Sequence, residues 1–393
     1  MSENRCMMIT TVYEKKDKCC GCSACAMVCP KQCIKMQPDE EGFLYPQIDK
    51  ELCVNCSLCQ KVCPVLKKSE MENDPDCYIA FSENQNIRKN SSSGGMFTEL
   101  AKKQIEKGAL VYGAGFDENF EVIHKAVSLE THLGELRGSK YVQSRMNDKY
   151  REIKEKLDRG ESIYFSGTPC QVAGLYSYLG HRPEKLTTQD FICHGVPSPL
   201  VWKKYLSTFG NVKKVEFRNK KYGWHYFALH IESDKRDYYK RLDEDFYLKL
   251  FLDNTILRPI CYDCPIKKQG SSADITLADC WSLNHMTDKV ADTDKGLSLV
   301  IANTSKGQSC LEKVKDSGEI VAIPVDAKKA LNSQSALRKS AYYNPRREQF
   351  FERFKQEEFS MIIKKWYIET FKEKLHKKYI YLKTKIRFVL KIK

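Results

Sequence analysis

Two cysteine runs near the N-terminus share one spacing. In each run, three cysteines are separated by two residues, and a fourth cysteine followed by proline comes after three more residues. The runs are Cys19, Cys22, Cys25, Cys29 and Cys53, Cys56, Cys59, Cys63. This spacing is typical of ferredoxins with two 4Fe-4S clusters, in which the fourth cysteine of each run binds the other cluster. Zinc is the alternative, but zinc sites are usually closed by pairs of cysteines, which leaves the three-cysteine runs unexplained.

We therefore predict two 4Fe-4S clusters with crossed ligands. The first ligand set is Cys19, Cys22, Cys25 and Cys63, and the second ligand set is Cys53, Cys56, Cys59 and Cys29. Clusters of this kind carry single electrons, so the sequence predicts electron transfer.

Four later cysteines form a third candidate set. Cys170 follows a Gly-Thr-Pro turn, Cys193 is followed by His-Gly, and Cys261 and Cys264 come shortly after Arg258. Four thiolates can bind one more 4Fe-4S cluster, which we predict here. Zinc and inert core cysteines are the alternatives. The remaining cysteines receive no role: Cys6, Cys20, Cys33, Cys77, Cys280 and Cys310.

Three glycine-containing turns have the form of phosphate-binding loops, because backbone N–H groups at a helix start can face an anion. The first turn, 91–95, contains three serines and two glycines. The second, 138–143, has a lysine near a glycine, and the third is 167–171. The predicted cofactor-binding residues are Ser91, Ser92, Ser93, Gly94, Gly95, Ser139, Lys140, Gly167, Thr168 and Gln171. Ordinary helix caps are the alternative for such turns.

The elements that must position these residues follow from hydrophobic patterning and turn residues. Short strands at 34–36 and 42–46 lie between the cysteine runs. Downstream, strands and helices alternate, with strands at 78–81, 110–116, 162–165, 185–192, 212–218, 225–232 and 297–303 and helices at 96–107 and 171–179. The fold class is therefore α+β or α/β, with an N-terminal bacterial-type ferredoxin module followed by a mixed α/β domain.

The net charge of +14 is concentrated at the C-terminus. Residues 364–393 contain eleven Lys or Arg and two Glu, a net +9, so the rest of the chain is not the basic body of a nucleic-acid-binding protein. Apolar residues recur there at helical spacing: Ile368, Phe371, Leu375, Tyr379, Leu382, Ile386 and Val389. This basic amphipathic helix either packs its stripe on the body or contacts an anionic membrane surface or a partner.

The location is predicted from the cysteines and the N-terminus. Eighteen cysteines beside a polar N-terminal segment, without a secretory signal pattern, indicate the reducing cytoplasm. A peripheral position at the inner face of the membrane follows if the tail binds lipid. No run of apolar residues is long enough to predict a transmembrane span.

In combination, these segments resemble the beta-subunit family of coenzyme F-420 hydrogenases and dehydrogenases, in its form with a fused N-terminal ferredoxin module. The resemblance extends from about Cys19 to about Gly307 and is carried by 91–95, 138–143, 166–171, 193–198, 218–224, 258–264 and 272–281. It implies a flavoprotein with FAD held by the serine–glycine turn and the strand-end loops. One departure is Ala278-Asp279-Cys280-Trp281-Ser282, where the family usually has Gly-Asp-Phe-Trp-Gly.

The resemblance implies four regions. They are a two-cluster ferredoxin domain (1–68), an N-terminal, flavin-binding region of the beta-subunit type (77–155), a C-terminal, catalytic region of the same type (156–325) and a basic helical tail (326–393). Lys140 is the candidate cation near the flavin or its phosphates, with a surface lysine as the alternative. His194 is the candidate proton donor, with a local hydrogen bond as the alternative.

The predicted function is that of an iron–sulfur flavoprotein oxidoreductase. It passes electrons between 4Fe-4S clusters, FAD and an F-420-type hydride carrier or another organic substrate, with a ferredoxin-like donor or a redox partner protein. Two alternatives remain: a non-catalytic electron-transfer subunit that feeds a partner enzyme, and a ferredoxin-dependent reductase of a glycan- or lipid-pathway substrate.

Overall fold

The structure of the protein is a computed structural model, and it describes residues 16–67 and 75–390. Cys6, the ends of the predicted ferredoxin domain and the last three residues of the predicted tail lie outside the described residues. The strands are β1 Ile34–Pro38, β2 Leu44–Ile48, β3 Asp76–Ser82, β4 Leu110–Phe116, β5 Val122–Val127, β6 Ile163–Ser166, β7 Leu186–Phe191, β8 Val212–Asn219, β9 Ala228–Ser233, β10 Asp237–Arg241, β11 Ile275–Asp279, β12 Ser298–Ala302 and β13 Ile320–Val325.

The α-helices range from single turns to twenty residues. They are α1 Ala24–Val28, α2 Leu58–Lys61, α3 Gln85–Lys89, α4 Met96–Ile105, α5 Leu133–Leu136, α6 Lys149–Asp158, α7 Pro169–Leu179, α8 Pro199–Ser207, α9 Phe246–Leu252, α10 Pro265–Gln269, α11 Ser305–Asp316, α12 Ala327–Asn332, α13 Ser335–Arg338, α14 Arg347–Gln356, α15 Phe359–Trp366 and α16 Phe371–Leu390. The strands and helices predicted from the sequence are all present, with ends that differ by a few residues.

The N-terminal module repeats one local structure twice. In each cysteine run, a serine in left-handed backbone conformation precedes a short helix: Ser23 (φ 69°) before α1 and Ser57 (φ 60°) before α2. Between the runs, β1 and β2 form an antiparallel hairpin in which Ile34 pairs with Ile48. The sequence repeat is therefore also a structural repeat, as expected for a ferredoxin module.

The body contains an eight-stranded mixed sheet in the order β13-β3-β12-β11-β7-β6-β4-β5. Strands β4, β6, β7 and β11 are parallel to one another, and β3 runs in the same direction because β12 is antiparallel to both β3 and β11. The carboxyl ends of five strands therefore meet at one edge of the sheet. The mixed α/β class predicted from the sequence is confirmed.

A second core lies beside a small antiparallel sheet of β8, β9 and β10. Its buried aromatic residues include Trp202 and Tyr247, and helices α14 and α15 complete it with Phe350, Ile362 and Trp366. The region predicted as a basic helical tail thus contributes two helices to the body. Among the helices that the structure describes, only α16 carries a continuous row of exposed apolar residues.

The ferredoxin module is attached to the body by buried ionic and backbone contacts. Arg347, at the start of α14, forms an ion pair with Glu41 in the β1–β2 turn and also donates to the backbone carbonyl of Leu257. Arg151 on α6 donates to the carbonyl of Met27 at 2.8 Å. Because the side chain of Arg347 is only 8% exposed, this pair is largely removed from water, and losing one partner would be costly.

Candidate functional site

The turns predicted to carry chemistry meet at the edge formed by the carboxyl ends of the strands. Cys193 follows β7, the turn at 167–170 follows β6, and Asp279 ends β11. The serine turn reaches the same edge, because the N–H of Ser82, at the end of β3, donates to the carbonyl of Gly94. Ligands of open α/β sheets bind at such an edge, so the fold brings the predicted segments to the expected place.

The second ligand set surrounds one cavity in the ferredoxin module. Cys29, from the first run, lines this cavity with Cys53, Cys56 and Cys59 from the second run. Cys33, which the sequence analysis left without a role, lines it as well, and its sulfur lies 3.3 Å from that of Cys29. The fold thus combines the runs in the crossed manner that a two-cluster ferredoxin requires.

The first ligand set is also brought together. Burial raises the pKa of the Cys25 thiol, and the thiolates of Cys19 and Cys63 raise it further because they are like charges nearby. Burial and the neighbouring thiolates of Cys25 and Cys63 also raise the pKa of Cys22. The thiols of Cys19, Cys22, Cys25 and Cys63 therefore lie close enough for their charges to interact, as one ligand set requires.

The third set assembles from three separate segments of the body. Burial raises the pKa of Cys193, and the nearby thiolates of Cys261, Cys170 and Cys264 raise it further. Burial also raises the pKa of Cys261 to about 12. Thiols from a strand end, a helix start and the 258–264 segment therefore lie close enough for their charges to interact, and a 4Fe-4S cluster bound by them stays a prediction.

One sulfur-rich contact joins the ferredoxin module to this third set. Cys20 and Cys22 are buried in one core cluster, and Cys170 and Cys261 pack against that cluster. Helix α7 approaches closely here, since a Cβ at Gly174 would lie 3.1 Å from the sulfur of Cys22. The first and third ligand sets are therefore neighbours. The sequence offered no signal for this role of Cys20 apart from its position next to Cys19.

Sites for a single metal ion differ from cluster sites in the spacing of their ligands. Within residues 16–67 and 75–390, no three His, Cys, Asp or Glu side chains are placed so that they could hold one metal ion. This finding concerns mononuclear sites such as zinc, whose ligands converge on one point. A four-iron cluster is larger, and its thiolates stand further apart.

Arg258 lies between the first and third ligand sets. It is fully buried, and it donates to the carbonyl of Cys19 at 2.7 Å, to the side chain of Gln143 at 3.1 Å and to the carbonyl of Leu44 at 2.9 Å. Its guanidinium also stacks over the ring of Tyr45. A fixed positive charge is thus placed where two ligand sets meet, and it also connects the module to the body.

The serine turn is held mainly by the protein itself. The hydroxyl of Ser91 donates to the carbonyl of Ile87, the hydroxyl of Ser93 to the carbonyl of Leu297, and the N–H of Gly94 to the hydroxyl of Ser298. A Cβ at Gly94 would lie 2.5 Å from the carbonyl oxygen of Ala80. Glycine is therefore required here by contact with β3, and an approach of Gly94 to a phosphate stays a prediction.

Two of the predicted cofactor turns contact each other. The hydroxyl of Ser92 accepts from the N–H of Ser139 at 2.7 Å, and both serines are partly exposed. The neighbouring Gly138 has φ +83°, and no atom lies within 4 Å of where its Cβ would be. Hydroxyl groups beside open space fit a polar ligand such as the phosphates of a dinucleotide.

The third turn belongs to a buried hydrogen-bond network that the sequence did not predict and that includes Ser144, the residue after the 138–143 turn. Gln171 and Thr168 form a capping box at the start of α7. Gln171 also donates to Ser144, which lies 3.0 Å from Nδ1 of His124, and Nε2 of His124 bonds the carbonyl of Ser166 at 3.2 Å. Burial lowers the pKa of His124 to about 4, so the imidazole is neutral at pH 7.

The two candidate catalytic residues have local partners. Lys140 is half-buried, and its ammonium donates to the carbonyls of Glu135 and Arg137. Burial, with a further effect of Lys125, lowers its pKa to about 7. Nε2 of His194 lies 2.6 Å from the side-chain oxygen of Asn254, and burial lowers the pKa of this histidine. Both catalytic assignments stay predictions.

In the altered segment 278–282, Cys280 lies in the core, and Asp279 and Trp281 lie at the edge that carries the candidate site. Cys280 is fully buried in an apolar cluster with Leu297 and Leu299, so this departure from the family affects packing. Asp279 accepts two hydrogen bonds from Arg218, whose side chain is 6% exposed. Trp281 stacks on Trp224 with ring centroids 4.3 Å apart, and 45% of it is exposed. A buried ion pair beneath paired indoles therefore occupies this part of the edge.

Two family models match parts of this chain, and a solved structure is similar to it. Residues 18–66 match the family model of the 4Fe-4S dicluster domain, and residues 160–328 match that of the C terminus of the coenzyme F420 hydrogenase/dehydrogenase beta subunit. A chain of the F420-reducing [NiFe] hydrogenase complex from Methanosarcina barkeri, in a xenon-derivatised structure, is 18% identical. That match covers 71% of this chain and 97% of the other, with a TM-score of 0.46. No curated protein sequence matches significantly.

The two matched ranges include the cysteines of all three predicted ligand sets. The dicluster match includes both cysteine runs, and the beta-subunit match includes Cys170, Cys193, Cys261 and Cys264. Residues 160–328 therefore belong to the family of C-terminal domains of coenzyme F420 hydrogenase/dehydrogenase beta subunits, joined in one chain to a 4Fe-4S dicluster domain.

Proposed function

We propose that this chain is an iron–sulfur flavoprotein oxidoreductase. It accepts single electrons from a ferredoxin-like donor or a redox partner protein and delivers them to an F420-type hydride carrier or another organic substrate. The observation that carries the proposal is the core cluster in which Cys20 and Cys22 are buried and against which Cys170 and Cys261 pack. It brings the ligands of a ferredoxin cluster next to four thiols of the body, as electron transfer between the two would require.

In this proposal, the residues of the chain hold three clusters and one flavin. The two crossed sets of the ferredoxin module bind one 4Fe-4S cluster each, and a third cluster is bound by Cys170, Cys193, Cys261 and Cys264. Arg258 keeps the first and third ligand sets in register, because it hydrogen-bonds the backbone of Cys19 from the segment that carries Cys261. Of the twelve proposed ligands, Cys22, Cys25, Cys29 and Cys59 are buried, Cys56 is exposed, and the other seven are partly exposed.

FAD would be held where the serine turn meets the 138–143 turn. Ser92 and Ser139 would present hydroxyl groups, and Lys140 would supply a positive charge for the phosphates. Bound FAD would supply the conversion between one-electron and two-electron chemistry. The protein contributes a neutral, positioned His124 behind this edge, linked through Ser144 to the start of α7.

A second function is favoured by one observation. Where relatives usually have two glycines, this chain has Ala278 and Ser282, on either side of Asp279, which is bonded to Arg218, and Trp281, which stacks on Trp224. A segment filled in this way suits a non-catalytic electron-transfer subunit that feeds a partner enzyme, because it leaves less room for a substrate beside the cofactor.

Anaerobic turnover separates the two functions. Purified protein with FAD and iron determined in the same sample is mixed with reduced methyl viologen and coenzyme F420. Oxidation of the viologen that depends on F420, and stops in the Cys261→Ser variant, would support the enzyme. Fast reduction of the bound flavin and clusters without any oxidation by F420 would favour the relay. Protein without releasable FAD would contradict the flavoprotein proposal itself.

A further inference from the structure

Helix α16 contacts the body with one face and leaves an apolar stripe on the opposite face. The contacting residues are Lys377, Tyr381, Thr384, Lys385 and Phe388. Their partners include Arg241, which stacks over the Tyr381 ring at 4.4 Å, His225, whose ring stacks on Phe388, and Asp294, which pairs with Lys385 at 2.8 Å. These positions recur every three or four residues, so they form one side of the helix.

The stripe that faces away from the body is apolar and exposed. Its residues are Leu375, Tyr379, Leu382, Ile386 and Leu390, and each is between 48% and 59% exposed. They also recur at helical spacing, on the side opposite to the contacting face. The stripe extends over about 22 Å at the usual helical rise of 1.5 Å per residue. Burial of the predicted stripe against the body, the first interpretation of the sequence, therefore does not apply to these residues.

Positive charge flanks the stripe on both sides. Lys372 and Lys383 lie on one side of it and Lys374 and Lys378 on the other, as the helical period of 3.6 residues places them. All four are exposed, and among residues 16–67 and 75–390 they make no ion pair. Over 371–390 the helix carries seven Lys or Arg and one Glu, a net +6.

We propose that α16 is a docking surface for an anionic lipid membrane. The helix would lie flat on the bilayer, with Leu375, Leu382 and Ile386 between the acyl chains and the flanking lysines at the level of the phosphates. Tyr379 suits the same boundary because its ring is apolar and its hydroxyl is polar.

The charge pattern favours lipid over a second copy of the chain. Two copies that paired through this stripe would bring two helices of net +6 against each other, and like charges in contact are unfavourable. A membrane spanned by the helix is not the proposal, because every helix in the described part of the chain is too short or too polar to cross a bilayer.

The proposal is tested by co-sedimentation of the anaerobically purified holoprotein with vesicles. One set contains phosphatidylcholine with about one third phosphatidylglycerol, and the other contains phosphatidylcholine alone. We expect binding to the anionic vesicles only, with release as salt rises from about 50 to 500 mM because the lysines become screened. Equal binding to both vesicle types, or none to either, would overturn the proposal.

Two variants separate the apolar and the ionic contributions. The triple substitution Leu375→Gln, Leu382→Gln and Ile386→Gln should abolish sedimentation, with Leu129→Gln, another exposed leucine, as its control. The quadruple Lys→Gln variant at 372, 374, 378 and 383 should lower binding at least about hundredfold, since each lysine near the surface contributes about fivefold.

The charge control removes four exposed lysines elsewhere: Lys89, Lys107, Lys213 and Lys328. It has the same net charge as the quadruple variant and should bind like the wild type. If it loses binding equally, net charge and not α16 is responsible, and the proposal fails. If light scattering shows a dimer that the stripe variant converts to a monomer, with no vesicle binding, the stripe is a contact between copies and the proposal also fails.

Discussion

Arg258, three residues before Cys261, donates a hydrogen bond of 2.7 Å to the backbone carbonyl of Cys19, more than two hundred residues away in the sequence. This bond joins the first ligand set of the ferredoxin module to the third set in the body. Because the guanidinium is fully buried, it is also a fixed charge beside both sets. Under the proposed function, this arrangement makes the module part of the same redox unit as the body.

Arg258→Gln should affect both a redox potential and stability. Removing one positive charge from a buried position should lower the reduction potential of the adjacent cluster by roughly 50–100 mV, because the reduced cluster loses a favourable interaction. The carbonyls of Cys19 and Leu44 would lose their donor, at a cost of about 1–3 kcal/mol in the free energy of unfolding. Redox titration followed by EPR and urea unfolding measure the two effects.

Arg258→Lys separates these effects. It keeps the charge, so the potential should stay near the wild-type value, but its ammonium lacks the planar fork of the guanidinium, so stability should still fall. Equal shifts of the potential in both variants would show that Arg258 acts through structure alone.

The iron content tests the third ligand set. Anaerobically purified wild-type protein should contain about twelve iron and twelve sulfide per chain, as three 4Fe-4S clusters require. Cys261→Ser and Cys193→Ser should each lower iron by about four and leave the EPR signals of the two ferredoxin clusters in place. Cys310→Ser is the matched control, because Cys310 is a buried cysteine in a different core cluster. Eight iron per chain in the wild type would contradict the prediction of a third cluster.

Two cysteines at the second cavity compete for one predicted role. Cys29 and Cys33 both line it, with their sulfurs 3.3 Å apart. The repeat spacing assigns the ligand to Cys29, so Cys29→Ser should lower iron by about four and Cys33→Ser should leave it unchanged. The reverse pattern in an iron assay would mean that the tertiary structure selects the ligand outside the repeat.

Flavin binding is tested at Lys140. If its ammonium contacts a phosphate, Lys140→Met should weaken FAD binding about tenfold, through the loss of roughly 1.5 kcal/mol from one charge-assisted hydrogen bond. Because the pKa of Lys140 is lowered to about 7, binding by the wild type should weaken as pH rises above 7 and the charge is lost. Fluorescence titration of the flavin-free protein measures both.

The variant Gly94→Ala tests the packing of the serine turn, whereas Lys140→Met tests a charge. Its new methyl group would press on the carbonyl of Ala80, so we expect a loss of roughly 1–3 kcal/mol in the free energy of unfolding.

An unchanged FAD affinity in Lys140→Met at every pH would leave Lys140 with its local role, that of bonding the carbonyls of Glu135 and Arg137.

His124 should make stability depend on pH. Its pKa is about 4 in the folded protein and about 6.5 when exposed, so the unfolded chain binds the extra proton between these values. The contribution of the neutral imidazole is present above pH 6.5 and is lost as pH falls towards 4, by roughly 2–4 kcal/mol in total. His124→Asn should therefore show a smaller decrease in unfolding free energy between pH 7 and pH 5 than the wild type. Parallel pH profiles would contradict this.

The sequence alone determined the local features of the protein. The cysteine spacing identified the ferredoxin module, because a loop that wraps a cluster needs fixed intervals between thiols. Hydrophobic periodicity predicted the strands and helices, because the alternation of side chains is a local property of the backbone. The order of short motifs predicted the beta-subunit family, whose C-terminal model matches residues 160–328.

Only the tertiary structure decided which distant residues meet. The alignment of β3, β6, β7 and β11 brings several distant residues together. It places Cys20 between two ligand sets, Arg258 on the backbone of Cys19 and His124 behind Gln171. The tertiary structure likewise decided that α14 and α15 complete a core while α16 contacts the body through Tyr381 and Phe388. The physical reason is that such contacts depend on strand order and domain packing, which no local pattern in the chain encodes.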